Sequence, residues 1–97
     1  MGEFTKRLCW CLREGDLTIA DLHHWFGRPR ATVRRWVIDG CVPIGPTGNH
    51  AHLLLNALES RIRRGWGFPV PRELHAQQRP AYIHEQRAKV PQAHIAG

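Results

Sequence analysis

The sequence predicts an all-α protein in which two short helices joined by a tight turn sit inside a bundle of about four helices. Apolar residues recur at helical spacing in successive segments, and Gly, Pro or Asp interrupts the pattern between them. The 97 residues are 42% hydrophobic, enough for a single modest core, and contain no internal repeat or low-complexity tract.

In Glu3 to Glu14, the residues Phe4, Leu8, Cys11 and Leu12 follow the spacing of one buried stripe, and Gly15-Asp16 ends the segment. Thr18 is placed to cap a second helix, with Asp21 where a capping box puts its acid. That helix stops at Gly27, the residue favoured for a left-handed turn. A third helix, 29–38, opens with Pro29 in the first turn and ends at Asp39-Gly40.

Residues 41–49 carry two Pro and two Gly and read as a loop or short wing. Asn49 then reads as the cap of a fourth helix, 50–64, with Ala51, Leu54, Leu55, Leu58 and Ile62 on one apolar face. Leu53 and Ala57 fall on another face, which suggests cover by the C-terminal segment or a partner subunit. Beyond Gly65, Trp66 to Pro71 is an aromatic and proline-rich connector. A short helix at 72–78 and one running from Pro80 to about Lys89 follow, and the last eight residues are expected to fray. This divides the chain into 1–64 and a 65–97 extension.

The stretch from Ile19 to Val37 bears most directly on function. Ile19, Leu22 and Phe26 on its first helix, and Val33, Trp36 and Val37 on its second, fall where the two helices must face each other and the core. Arg30, Thr32, Arg34 and Arg35 are left along the outer side, with Arg30 and Arg34 one turn apart on a shared face. No acid interrupts the run from Arg28 to Arg35.

Ala20-x-Leu22, Phe26-Gly27 and Ala31-Thr32-Val33-x-x-Trp36 resemble the helix-turn-helix of DNA-binding proteins. His23 stands where that family usually has a small residue, and Pro29 where it usually has a Ser or Thr cap. Trp36-x-x-x-Gly40-x-x-Pro43, followed by a Gly/Pro loop and another helix, is similar to excisionase- and MerR-like winged helices and to the DNA-binding domain of phage terminase small subunits. The resemblance implies a helix-turn-helix bundle in which 1–64 binds double-stranded DNA, with helix 29–38 in the major groove. Arg30 and Arg34 would then read base edges, and Arg28, Thr32 and Arg35 would meet phosphates. Residues 44–50 hold no Lys or Arg, so a wing there would be electrostatically weak.

A formal charge of +6 and a pI near 10.3 fit a polyanionic partner. Arg61, Arg63 and Arg64 read either as cations suited to a helix C-terminus or as secondary phosphate contacts. Zinc is not expected, because Cys9-x-Cys11 and His50-x-His52 point apart on a helix and no His-x-x-x-His occurs. No cofactor motif, paired carboxylates or placed nucleophile suggests an enzyme. No apolar run approaches the ~18–20 residues that span a bilayer. Without an apolar leader, and with sparse, odd-numbered cysteines, a cytoplasmic protein of a bacterium or phage-infected host is expected. A single such module presents little surface, so a homodimer or larger ring is expected, through 53–58 or the C-terminal segment. Two DNA roles fit, a phage or mobile-element transcriptional regulator and a packaging protein of the small-terminase kind. A third reading is a protein-interaction adaptor on the same scaffold.

Overall fold

Helix forms wherever the apolar spacing recurs. The computed structural model describes residues 2–65 and 77–90, and among them the chain is all-α with no strand. Helix α1 spans Glu3–Glu14 and buries Phe4, Leu8 and Cys11, with Leu12 half-buried beside them. Helix α2, Ile19–Phe26, opens with the expected capping box. The Thr18 hydroxyl accepts from the Asp21 amide at 3.1 Å, and the Asp21 carboxylate accepts from the Thr18 amide at 2.9 Å. It ends at Gly27, whose φ of 67° is the left-handed conformation an L side chain resists.

Helix α3 begins at Arg30 with Pro29 as its N-cap residue, one position later than the sequence suggests. The Pro29 carbonyl accepts from the Thr32 and Val33 amides, so the missing Ser or Thr side chain is replaced by backbone bonding. After Arg34 the helix widens into a π-helical turn, Arg35–Asp39, closed by Gly40 at φ 75°. Trp36 lies in this turn and packs edge-on against Phe4 and Phe26, with ring centroids 5.6 and 5.5 Å apart.

The buried Thr5 hydroxyl donates to the Trp36 carbonyl at 2.6 Å and ties α1 to the widened turn. Thr5→Val keeps the shape and removes the donor. It should cost about 1–3 kcal/mol, read as a lower urea midpoint with an unchanged m-value.

Helix α4 spans Gly45–Arg64 and starts well before the expected His50. Asn49 is therefore inside the helix, and no hairpin wing exists at 41–49. The reason is local. Pro46 occupies the first turn, where its absent N–H is no loss, and Gly48 lets that turn fold onto Pro43. A Cβ at Gly48 would lie 2.6 Å from the Pro43 carbonyl oxygen. Ala51, Leu54, Leu55, Leu58 and Ile62 are all buried, and Trp25 donates its indole N–H to the Leu54 carbonyl at 3.0 Å. Leu53 and Ala57, on the other face of α4, are half-buried. The exposed large apolar side chains among the described residues are instead Ile38, Val42 and Ile44.

Helix α5, Arg79–Ala88, packs on α2 with Ile83 and Gln86 buried. Val90 is also buried, so the first of the eight terminal residues expected to fray is part of the core. The connector at 66–71, with Trp66 and Phe68, and most of the short helix expected at 72–78 lie outside the described residues. Gln77 and Gln78 form a turn.

Candidate nucleic-acid interface

The arginines divide by what their guanidinium groups touch. Arg7 reaches from α1 to α4, where it pairs with both oxygens of Glu59 at 2.7 and 2.9 Å and donates to Asn56. Arg79 reaches from α5 to the buried Asp21 carboxylate, at 2.5 and 3.2 Å. These two guanidinium groups are held above their ordinary pKa, chiefly by the hydrogen bonds to their carboxylates. They are structural clamps.

The secondary cluster is largely structural as well. Arg61 donates to the Ala57 carbonyl at 3.3 Å and lies 5.8 Å from the centre of the Trp25 ring. Arg63 stacks over Trp10 at 4.5 Å. Arg64 is exposed beside a shallow depression that it lines with Asn56, Glu59, Ser60 and Arg63.

Around the α2–α3 turn the pattern reverses. The side chains of Arg28, Arg30, Arg34 and Arg35 make no hydrogen bond or ion pair within the described residues. Arg30, Arg34 and Arg35 are exposed, while Arg28 and Thr32 are half-buried. Arg34 and Arg35 border an open depression of about 210 Å³ with Ala31, Ile38 and Asp39. Val33 and Trp36 are buried on the opposite side, so α3 presents a basic strip outward and an apolar one inward. Asp39 is the one acid of α3, at its far end.

His23 closes the turn by donating from Nδ1 to the Arg28 carbonyl at 2.5 Å. A larger residue at this position is thus accommodated by a bond across the turn. Its ring lies 4.5 Å from that of His24, which in turn meets His84 of α5 at 5.1 Å.

Sequence reasoning missed the part of this surface that α5 and the start of α4 supply: His84, Arg87 and His50. The spacing of Ile83 and Gln86 on α5 could have placed Arg87 next to its buried stripe. Nothing local indicates that this stripe meets α2.

Burial lowers the pKa of His24, assisted by His23, His84 and Arg30 and opposed by Asp21. Burial likewise lowers that of His50, assisted by Arg87 and Arg28. Both shifts favour the neutral ring in the fold. Just below the ordinary histidine value the unfolded chain holds more protons than the folded one, so stability falls there as pH is lowered. The thermal midpoint in chloride buffer should therefore be lower at pH 6 than at pH 7.5. A His24→Gln/His50→Gln variant should lose most of that difference.

The Cys11 thiol takes no part in this face. Burial pushes the Cys11 thiol up to about 12 and makes it an inert core group. Among the described residues no set of His, Cys, Asp and Glu is arranged to hold a metal ion. No helix among them is long and apolar enough to cross a membrane. No family model, curated protein or solved structure matches the chain, so the reading of this face rests on its own side chains.

Proposed function

We propose that the protein binds double-stranded DNA through the exposed face of α3, as a helix-turn-helix module rather than an enzyme. The observation that carries this is the division of the arginines. Those elsewhere are largely spent on carboxylates, carbonyls and indoles, whereas Arg28, Arg30, Arg34 and Arg35 have no partner among the described residues on one side of a helical pair. A helix about 10–12 Å across fits the major groove when a second helix braces it. Guanidinium forks suit both guanine edges and phosphates.

Arg30 and Arg34 are assigned to base edges, with Arg28 and Arg35 on phosphates. Thr32, half-buried, would meet the backbone only at the rim. Within this reading, control of transcription by a phage or mobile-element regulator predicts a dimer on a palindromic site. A packaging role predicts a higher oligomer with weaker duplex affinity.

The exposed Ile38, Val42 and Ile44 beside α3 favour a second reading, an adaptor that binds protein. Salt separates the two. Fluorescence anisotropy on a mixed-sequence duplex, titrated from about 50 to 200 mM salt, should give a steep fall of log affinity with log salt from counterion release. A flat line would sink the DNA reading in favour of the adaptor.

A further inference from the structure

Gly27 does more than turn the chain. A Cβ there would lie 3.4 Å from Nη1 of Arg87 and 3.7 Å from its Cζ, so the guanidinium of an α5 residue rests on the α2–α3 turn. Arg87 Nε is buried with no hydrogen-bond partner, and the side chain makes no ion pair within the described residues. His50 Nε2, from the start of α4, is likewise buried and unpartnered. Arg28 completes the group from the turn itself, its carbonyl fixed by His23 and its guanidinium without a partner among the described residues.

The two guanidinium groups are near enough to His50 to disfavour its protonation, after burial itself, and no carboxylate offsets them there. Two guanidinium groups, one from α5 and one from the turn, thus lie near a buried imidazole of α4. Two buried nitrogens, His50 Nε2 and Arg87 Nε, have nothing to bond among the described residues. An anion with several acceptor oxygens supplies the negative charge that this group lacks, and the planar fork of Arg matches phosphate.

We propose that Arg28, Arg87 and His50 form a phosphate-binding site at the α2–α3 turn. The ligand is a phosphate oxyanion, carried by a duplex backbone or by a free polyphosphate. The duplex source rests on the DNA-binding reading, and there the site extends the α3 contacts onto a flanking phosphate. The oxyanion itself does not depend on that reading. Without an anion the surroundings of His50 disfavour its protonation, and bound phosphate reverses that preference.

The test follows the His50 ring by NMR in the full chain through a pH titration, alone, with inorganic pyrophosphate and with a short duplex. With pyrophosphate the His50 midpoint should rise by about one unit, while the ring of His52, edge-on to Phe4, should not respond to the ligand. Arg87→Gln and, independently, Arg28→Gln should abolish most of the rise. Arg87→Lys, which keeps the charge without the fork, should retain the rise at weaker binding.

The same rise with duplex identifies a nucleic-acid phosphate. A rise with pyrophosphate alone keeps the site and assigns it to a small polyphosphate. No rise with either probe, or an undiminished rise in folded Arg87→Gln and Arg28→Gln, overturns the proposal. The DNA reading stands or falls separately, on the salt dependence of Arg30 and Arg34.

Discussion

Arg30→Ala/Arg34→Ala is expected to abolish most DNA affinity while leaving the fold intact. Each well-placed bidentate contact to a base edge is worth about 1–3 kcal/mol, so on a specific site each substitution should cost about 5–150-fold. On a mixed-sequence duplex, where phosphate contacts dominate, the salt slope should shrink by roughly one to two. Both side chains are exposed and have no partner among the described residues, so the unfolding free energy should move by no more than about 0.5 kcal/mol. That combination is diagnostic. A general effect of net charge is controlled by Lys6→Ala/Arg13→Ala, which removes the same charge from the exposed side of α1. Equal losses in the two double variants would reduce α3 to one more part of a basic surface, and an unaltered slope in the first would remove it from the interface.

The features legible in the sequence are those with a local physical cause. Thr18 and Asp21 announce the start of α2 because the two halves of a capping box lie three residues apart and bond within one turn. Gly27 announces its end because few other residues tolerate a left-handed φ. The apolar faces of α1 and α4 follow from helical spacing alone. Pro46 and Gly48 mislead because the same residues serve a loop and a helix start, and only the close approach to Pro43 decides between them.

The π-helical turn has no signal in Arg35 to Asp39, which contains neither Gly nor Pro. It accompanies the seating of Trp36 between Phe4 and Phe26 and the Thr5 bond to its carbonyl, contacts made across the fold. For the candidate site the division is the same. Arg30, Arg34 and Arg35 were legible from their helical face and from the absence of local acids. What distinguishes them from Arg61 and Arg63 is the indole or carbonyl that occupies the latter. Arg87 and His50 were not legible, since α5 reaches the turn only through tertiary docking.

That docking hangs on Asp21, and Asp21→Ala is expected to be the most destabilising of the polar substitutions considered. The carboxylate has two tasks in different structural layers. It accepts the Thr18 amide within the capping box, and it receives the fork of Arg79, 58 residues away in sequence. Losing a cap costs about 1 kcal/mol. Removing one partner of a buried ion pair costs about 3–5 kcal/mol, and the low end applies because Arg79 keeps 19% of its side chain exposed. Together these give about 4 kcal/mol, most of the stability of a marginal domain, and a fall in Tm of at least 15 °C or so.

Arg79→Ala separates the two tasks. It should spare the capping box but leave Asp21 buried without its cation. The double variant should then be little worse than Asp21→Ala alone, because the ion pair can be lost only once. Strict additivity of the two losses would show that Asp21 stabilises α2 locally and that α5 is held by Ile83 and Val90 alone. Coupling between them would mean that the acid that begins α2 also fixes the helix bearing Arg87, so that the local capping signal and the basic face at the turn share one carboxylate.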